Sequence, residues 1–203
     1  MPNGFRMEMF MGKLFVLMGK SSTGKDTIYK EMLKDDRIAL KDVVIYTTRP
    51  IREGEVNGRE YHFVNEKTRD EYVKSGKVIE RRDYNTVHGV WSYFTVDDGQ
   101  FELDKQDYVV IATLEAYNEF IRYFGKDSVK PIYIQVEDGE RLTRALEREK
   151  KQKEPKYAEL CRRFLADNED FSEDKLKMAG IDRVFENRTI VTCLEEIVSY
   201  VLS

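Results

Sequence analysis

Cysteine, histidine and long apolar runs are all scarce in this chain of 203 residues. Its two cysteines, Cys161 and Cys193, have the spacing of neither a zinc site nor a disulfide framework, which points to a reducing compartment. Two histidines, His62 and His88, cannot build a metal cluster alone. No apolar run approaches the roughly 18 residues that span a membrane. Charge of one sign is not in excess either. Lys+Arg number 34 and Asp+Glu 38, for a net charge of −4 without segregation between the halves. That balance excludes a general nucleic-acid or membrane-surface binder. The first ten residues, interrupted by Arg6 and Glu8, read as an extension or alternative start region with recurring methionines, not as a signal peptide. Internal repeats and low-complexity segments are also lacking. What remains is a 41% hydrophobic, 35% charged sequence, long enough for a substantial core.

The most informative stretch is Gly19-Lys20-Ser21-Ser22-Thr23-Gly24-Lys25-Asp26-Thr27. The apolar run Leu14–Met18 precedes it and reads as a buried parallel strand. The amphipathic segment from Thr27 to Leu33 follows and reads as a helix. Strand, glycine-bounded loop and helix form the context of the phosphate-binding pattern G-x-x-x-x-G-K-[ST]. Glycines let the backbone wrap closely, so that N–H groups and the helix N-terminus face phosphate oxygens. Lys25 adds a point charge for the β- and γ-phosphates. One position departs from the pattern: Asp26 stands where a hydroxyl would meet magnesium, and Thr27 comes one residue later.

Further along, Val43–Tyr46 reads as a second strand, and Asn57-Gly58 as a turn within a long loop. A strand follows at Glu60–Val64. Asn65 is the expected N-cap of a helix to about Lys74, with Gly76 just past its end. Strand-like pieces at Val78–Tyr84 and Trp91–Phe94 make this middle third β-rich. Tyr108–Thr113 and Pro131–Val136 read as strands covered on both faces, with a helix from Leu114 to Phe124 between them. Helices are expected over Asp138–Lys150 and Tyr157–Phe171, joined by a polar connection through Pro155. A short strand at Arg183–Phe185 and a last helix opened by a capping box at Thr192–Glu195 complete the chain. The predicted fold is α/β, a P-loop three-layer fold with a central parallel sheet. Its core comprises residues 1–44, 101–136 and 171–203. A small β-rich acceptor-binding insertion spans 45–100, and a helical lid spans 137–170.

Thr47-Thr48-Arg49-Pro50 through Arg52, Gly54-Glu55, Asn57-Gly58 and Tyr61-His62-Phe63-Val64 form a long ungapped string that resembles guanylate kinases. Asp182–Asn187 and Arg163 with its downstream acids extend the resemblance over nearly the whole chain. It implies that Arg49, Arg52 and Tyr61 hold the monophosphate of an acceptor nucleotide. Two guanidinium groups three residues apart can fork onto one phosphate, and a phenol can add a third bond. Glu55 supports that loop, and Glu80 matches the carboxylate that accepts from guanine N1–H and the 2-amino group. Lys25, Arg49, Arg52, Arg163 and the lid arginines Arg144 and Arg148 are the candidate catalytic residues. Gly19 to Thr27 and Asn187 belong to the donor side, Asn187 beside the adenine.

Other positions differ from the family pattern. Ile45 and Val90 replace serines near the base, His88 replaces a phosphate-contacting tyrosine, and Thr113 replaces a base-binding aspartate. His88 and Thr113 are retained as substrate-binding candidates. The strand Tyr108–Thr113 lacks the acid that organises magnesium, which makes Asp26 the candidate Mg²⁺ ligand. The resemblance implies phosphorylation of GMP or dGMP by ATP, with Mg²⁺. Partners are then small-molecule nucleotides, with neither nucleic acid nor membrane, for a cytoplasmic monomer or homodimer. The loop start Gly12–Gly19, with the Gly24-Lys25-Asp26 ending, also resembles ribose 1,5-bisphosphate phosphokinases. A phosphotransferase with another acceptor, either another nucleoside monophosphate or ribose 1,5-bisphosphate, is one alternative. A non-catalytic guanylate-kinase-like module that binds phosphopeptides is the other.

Overall fold

A computed structural model describes residues 12–86 and 89–203. The N-terminal extension and His88 lie outside them. Strand β1 (Leu14–Met18) is buried along its whole length, and its side chains alternate between two cores. Leu14, Val16 and Met18 enter one apolar cluster, with Leu114, Tyr117 and Phe120 of helix α3 (Leu114–Phe124). Phe15 and Leu17 enter the other, with Ile28 and Met32 of α1 (Lys25–Met32) and Cys193 and Ile197 of α7 (Ile190–Val201). This period-two split of an unbroken apolar run is what a strand covered on both faces requires. β1 is the middle strand of a parallel sheet ordered β2-β7-β1-β8-β9. Its neighbours are β2 (Lys41–Asp42), β7 (Tyr108–Ile111), β8 (Val129–Gln135) and β9 (Val184–Glu186). Helix, sheet and helix make the three layers.

A second, mixed sheet has the order β4-β3-β6-β5. It is built from β3 (Tyr46–Thr47), β4 (His62–Phe63), β5 (Val78–Thr86) and β6 (Gly89–Val96). Helix α2 (Glu66–Lys74) covers one face, where Tyr72 meets Tyr46 edge-on at 5.2 Å between ring centroids. Asn65 caps α2 as expected, accepting from the Thr68 N–H at 2.9 Å, and Gly76 has a φ of 71° just beyond its end. The expected strand Val43–Tyr46 is split between the two sheets. Residues 41–42 pair with β7, the Val43 N–H still reaches the Val109 carbonyl, and the Ile45 carbonyl already accepts from the His62 N–H. Apolar pattern marks an extended segment but does not say which sheet each end joins.

Helices α4 (Asp138–Lys150) and α5 (Tyr157–Asp170) follow β8. The polar connection between them is closed by the Lys156 N–H, which donates to the buried Glu149 carboxylate at 2.5 Å. A short helix, α6 (Glu173–Met178), was not anticipated: its six residues are mostly charged, and only Leu176 packs on the core. α7 begins three residues earlier than the Thr192 capping box implied. Thr189 is its N-cap, accepting from the Thr192 N–H at 3.2 Å, so an earlier hydroxyl takes the capping position. Phe120 is fully buried between α3 and the sheet. Replacing it by Ala should lower unfolding free energy by about 3–5 kcal/mol, as measured by urea denaturation, and a smaller loss would mean that the α3 face can collapse around the gap.

Candidate active site

The carboxyl ends of the parallel strands converge on one edge of the main sheet, where open α/β folds bind ligands. Gly19 follows β1, Thr113 follows β7, Val136 follows β8 and Asn187 follows β9. The loop from Gly19 to Gly24 has the backbone that its glycines predict. Gly24 has a φ of 85°, and a Cβ on it would lie 2.6 Å from Asn187 Nδ2. A Cβ on Gly19 would lie 2.6 Å from the Ile134 carbonyl. Ser22 is also left-handed, with a φ of 65°, a conformation uncommon outside glycine.

Other elements fix this loop by its main chain. Asn187 is buried, and its Nδ2 donates to the Thr23 carbonyl at 2.7 Å, while the Thr23 hydroxyl donates to the Lys20 carbonyl at 2.9 Å. The peptide groups of Ser21 are held on both sides. Its N–H donates to Asp167 Oδ2 on α5 at 2.7 Å, and its carbonyl accepts from Arg141 Nε on α4 at 3.1 Å. Arg141 is only 1% exposed. It also pairs with Asp138 and, at 3.2 Å, with Asp167, and its guanidinium lies 4.9 Å from the Phe164 ring centroid. Lys20 donates to Asn168 at 2.7 Å and lies 3.6 Å from Asp138.

Lys25, Asp26 and Thr27 open α1 beside this loop. Asp26 and Thr27 are exposed and Lys25 is half-buried. None of the three side chains has a hydrogen-bond or ion-pair partner among the described residues. An uncommitted ammonium at a helix N-terminus fits a phosphate group. No cluster of three or more His, Cys, Asp or Glu side chains exists among the described residues. Asp26 is a single carboxylate with no partner among the described residues, a hard oxygen donor of the kind that suits Mg²⁺ when phosphate oxygens and water complete its shell.

The arginines expected to act from the lid separate. Arg148 reaches Ser22 Oγ at 3.4 Å, and Arg163 lines the same crevice beside Ser21 and Ser22. Arg144 instead pairs with Glu140 at 2.8 Å and borders a cavity of about 460 Å³ that includes Asn187, Glu137 and Arg188. Arg141, Asp138, Asp167 and Asn168 escaped sequence reading. The available signal was Arg141 itself, placed one turn before Ala145 on the buried stripe of a charged helix, where an arginine needs a partner.

On the second sheet, Arg49 is 3% exposed and forks onto Glu55 at 2.8 and 3.0 Å, with a third bond to the Pro50 carbonyl. Its guanidinium lies 5.4 Å from the ring centroids of both Tyr61 and Phe63. Glu55 also accepts from the Arg52 N–H at 2.8 Å, while the Arg52 side chain is exposed. Arg49 is the first cause that holds the Glu55 carboxyl below its usual range, and burial pushes the Tyr61 hydroxyl up. Glu80 does not present a free carboxylate. It is buried against Arg82 at 3.0 Å and accepts from the Thr95 hydroxyl at 2.7 Å. Thr113 is the N-cap of α3, accepting from the Ala116 N–H at 3.3 Å. His88 lies outside the described residues.

A glycine-bounded loop between a buried strand and a helix, at the carboxyl edge of a parallel sheet, defines the phosphate-binding-loop class of α/β nucleotide-binding folds. The guanylate kinase family model matches residues 11–197, and the chain belongs to that family. The guanylate kinase of Lactobacillus johnsonii is 40% identical over 77 residues, 38% of each chain. That of Rhodopseudomonas palustris is 44% identical over 69 residues, 34% of this chain and 31% of the relative. These alignments thus span only about a third of the curated relatives' length. The crystal structure of guanylate kinase from Anaplasma phagocytophilum superposes over 95% of this chain and 85% of its own, with a TM-score of 0.64 and 20% identity, a likeness of fold. No helix among the described residues is long and apolar enough to cross a membrane.

Arg141→Ala removes one member of a buried ion cluster and should cost about 3–5 kcal/mol of stability, measured by urea unfolding. Asp167→Ala should speed hydrogen exchange at the Ser21 amide, followed by NMR. Unchanged exchange there would show that Asp167 does not hold the loop.

Proposed function

We propose that this chain transfers the γ-phosphoryl group of ATP to GMP or dGMP, yielding ADP and GDP or dGDP. The observation that carries the reading is the presence of two separately built anion platforms. One is the phosphate loop with its uncommitted Lys25. The other is the arginine loop, where Arg49 is locked by Glu55 under the rings of Tyr61 and Phe63. A kinase acting on a monophosphate needs both, one for the donor's phosphates and one for the acceptor's. Family membership supports the same reading.

In this reading the loop from Gly19 to Thr27 holds the donor triphosphate, and Lys25 compensates the charge on its β- and γ-groups. The cavity bordered by Arg144 and Asn187 takes the donor base. Arg49, Arg52 and Tyr61 hold the acceptor phosphate. An acceptor phosphate oxygen attacks the γ-phosphorus in line, and the bond to the β–γ bridging oxygen breaks, so that ADP leaves with the electron pair. The acceptor is already an anion, so no general base is required. Positioning and charge compensation carry the rate, with Arg148 and Arg163 approaching from the lid. Asp26 would hold part of a bound Mg²⁺, which would supply further neutralisation of phosphate charge. Residues 45–100 act as the acceptor-binding insertion and residues 137–170 as the lid, closing over the core to exclude water. The protein acts on free nucleotides in the cytoplasm, as a monomer or homodimer.

A coupled ADP-release assay across GMP, dGMP, AMP, UMP, CMP and ribose 1,5-bisphosphate should give turnover with the guanine nucleotides. Activity with the sugar bisphosphate alone would refute the reading. Asp26→Ala should lower turnover about 10–100-fold and raise the Mg²⁺ concentration needed for half-maximal rate, with Asp26→Ser recovering part of the loss. Equal or higher activity in Asp26→Ala would exclude the metal role.

A further inference from the structure

The second sheet buries a carboxylate that its nucleotide-binding face would be expected to display. Strand β5 shifts register between Val78 and Glu80, so that Glu80 comes to face Thr95 and Arg82 comes to face Tyr93. A bulge of this kind re-aims side chains. Here it sends Ile79 into the main core and sets Glu80 and Arg82 side by side on the opposite face. Glu80 Oε1 accepts from Thr95 Oγ1 at 2.7 Å and from Arg82 Nη2 at 3.3 Å, and Oε2 accepts from Arg82 Nε at 3.0 Å. An ionised carboxylate offers about four lone-pair sites, and three are taken. The Glu80 side chain is 1% exposed, so the fourth is out of reach as well. Guanine's Watson–Crick edge brings two adjacent N–H donors, at N1 and the 2-amino group, and finds no pair of free acceptors here.

Arg82 is what remains accessible. Its side chain is 11% exposed, and Nη1 takes no partner among the described residues. No buried side-chain nitrogen or oxygen among those residues lacks a hydrogen-bond partner, so Nη1 is a part of Arg82 that solvent reaches. Glu80 is the carboxylate that compensates its charge, and Arg82 stands opposite Tyr93 in the strand ladder. Tyr93 packs edge-on against Tyr61 at 5.6 Å between ring centroids, and the Arg49 guanidinium lies 5.4 Å from the Tyr61 ring, which places Arg82 on the same sheet face as the phosphate platform.

We propose that Arg82 reads the acceptor base and that Glu80 positions Arg82. This rests on the nucleotide-acceptor reading given above and names its substrate class. A guanidinium supplies donors only, and the matching feature on a purine is the O6 carbonyl with N7 beside it. Guanine and hypoxanthine share that edge. Adenine replaces O6 with an amino donor and meets Arg82 donor to donor. The 2-amino group that separates guanine from hypoxanthine is not read. The acceptors are therefore 6-oxopurine nucleoside monophosphates as a class.

Steady-state kinetics with ATP and GMP, IMP or AMP decide the matter. The wild-type protein should use GMP and IMP with kcat/KM within about threefold of each other and AMP roughly 10–100-fold less well, the discrimination one bidentate arginine contact gives. Arg82→Ala should raise KM for GMP and IMP together with little change in kcat, and Arg82→Lys should recover part of it. Glu80→Gln should weaken both to the same degree, leaving their ratio unchanged. A wild-type preference for GMP over IMP above about a hundredfold, collapsed by Glu80→Gln, would overturn the proposal, since a carboxylate would then be reading the two N–H donors. Because the wild-type ratio alone separates these outcomes, a poorly folding variant does not blunt the test. Turnover of neither GMP nor IMP, with activity on another acceptor, would refute the guanine-nucleotide reading itself and the role of Arg82 with it, an outcome distinct from GMP-selective turnover.

Discussion

The phosphate loop is a stretch of backbone that cannot hold its own shape. It runs through left-handed conformations at Ser22 and Gly24 and forms no regular ladder, so its peptide groups need partners from elsewhere. Three side chains supply them. Asn187 donates to the Thr23 carbonyl from beyond β9, Asp167 accepts the Ser21 N–H from α5, and Arg141 donates to the Ser21 carbonyl from α4. The curvature of the loop depends on these bonds, and a curved loop is one that could meet phosphate without first reorganising.

The same solution to buried charge recurs on both sheets. Arg49 with Glu55, Arg82 with Glu80, and Arg141 with Asp138 and Asp167 are guanidinium–carboxylate pairs with little or no exposure of the arginine. Burying either ion alone would cost several kcal/mol. Pairing offsets that cost and fixes the planar guanidinium, so that its remaining donors have a set direction. The three pairs differ in what they serve. Arg141 turns its donors to the protein's own loop, while Arg49 and Arg82 lie on the sheet face where Tyr61 and Tyr93 also stand.

Sequence pattern resolved the parts governed by local rules. The β1 run, the glycine positions of the loop, the Asn65 cap and the α3 stripe depend on side-chain periodicity and on backbone freedom at single residues, and these are written in the nearest neighbours. The parts it missed depend on which distant residue arrives. Val43–Tyr46 is extended as its composition suggests, but its two ends serve different sheets. Glu80 occupies the expected strand, yet a register shift and an arginine two residues on decide whether its oxygens are free. Arg141 looks like one more charge on a charged helix until α5 brings Asp167 beside it. Resemblance carried over the identities of Arg49, Glu55 and Tyr61. It carried nothing about Arg82 or Arg141, whose importance comes from their packing.

These attachments also tie α4 and α5 to the loop between β1 and α1. Arg141 is on α4 and Asp167 on α5, and Arg148 one turn pair further along α4 touches Ser22. Asn187 ties the other side of the loop to the strand end at β9, which belongs to the core sheet. The loop is thus suspended between the anchor at β9 and the two helices α4 and α5. Movement of α4 and α5 together relative to the core must either carry the Ser21 peptide with it or break two bonds to it. The partly neutralised cluster of Lys20, Asp138, Arg141 and Asp167 resists the second option, since separating it would leave an arginine buried without its carboxylates. The positions of α4 and α5 and the geometry of the loop are therefore coupled through bonds to three successive residues, Lys20, Ser21 and Ser22.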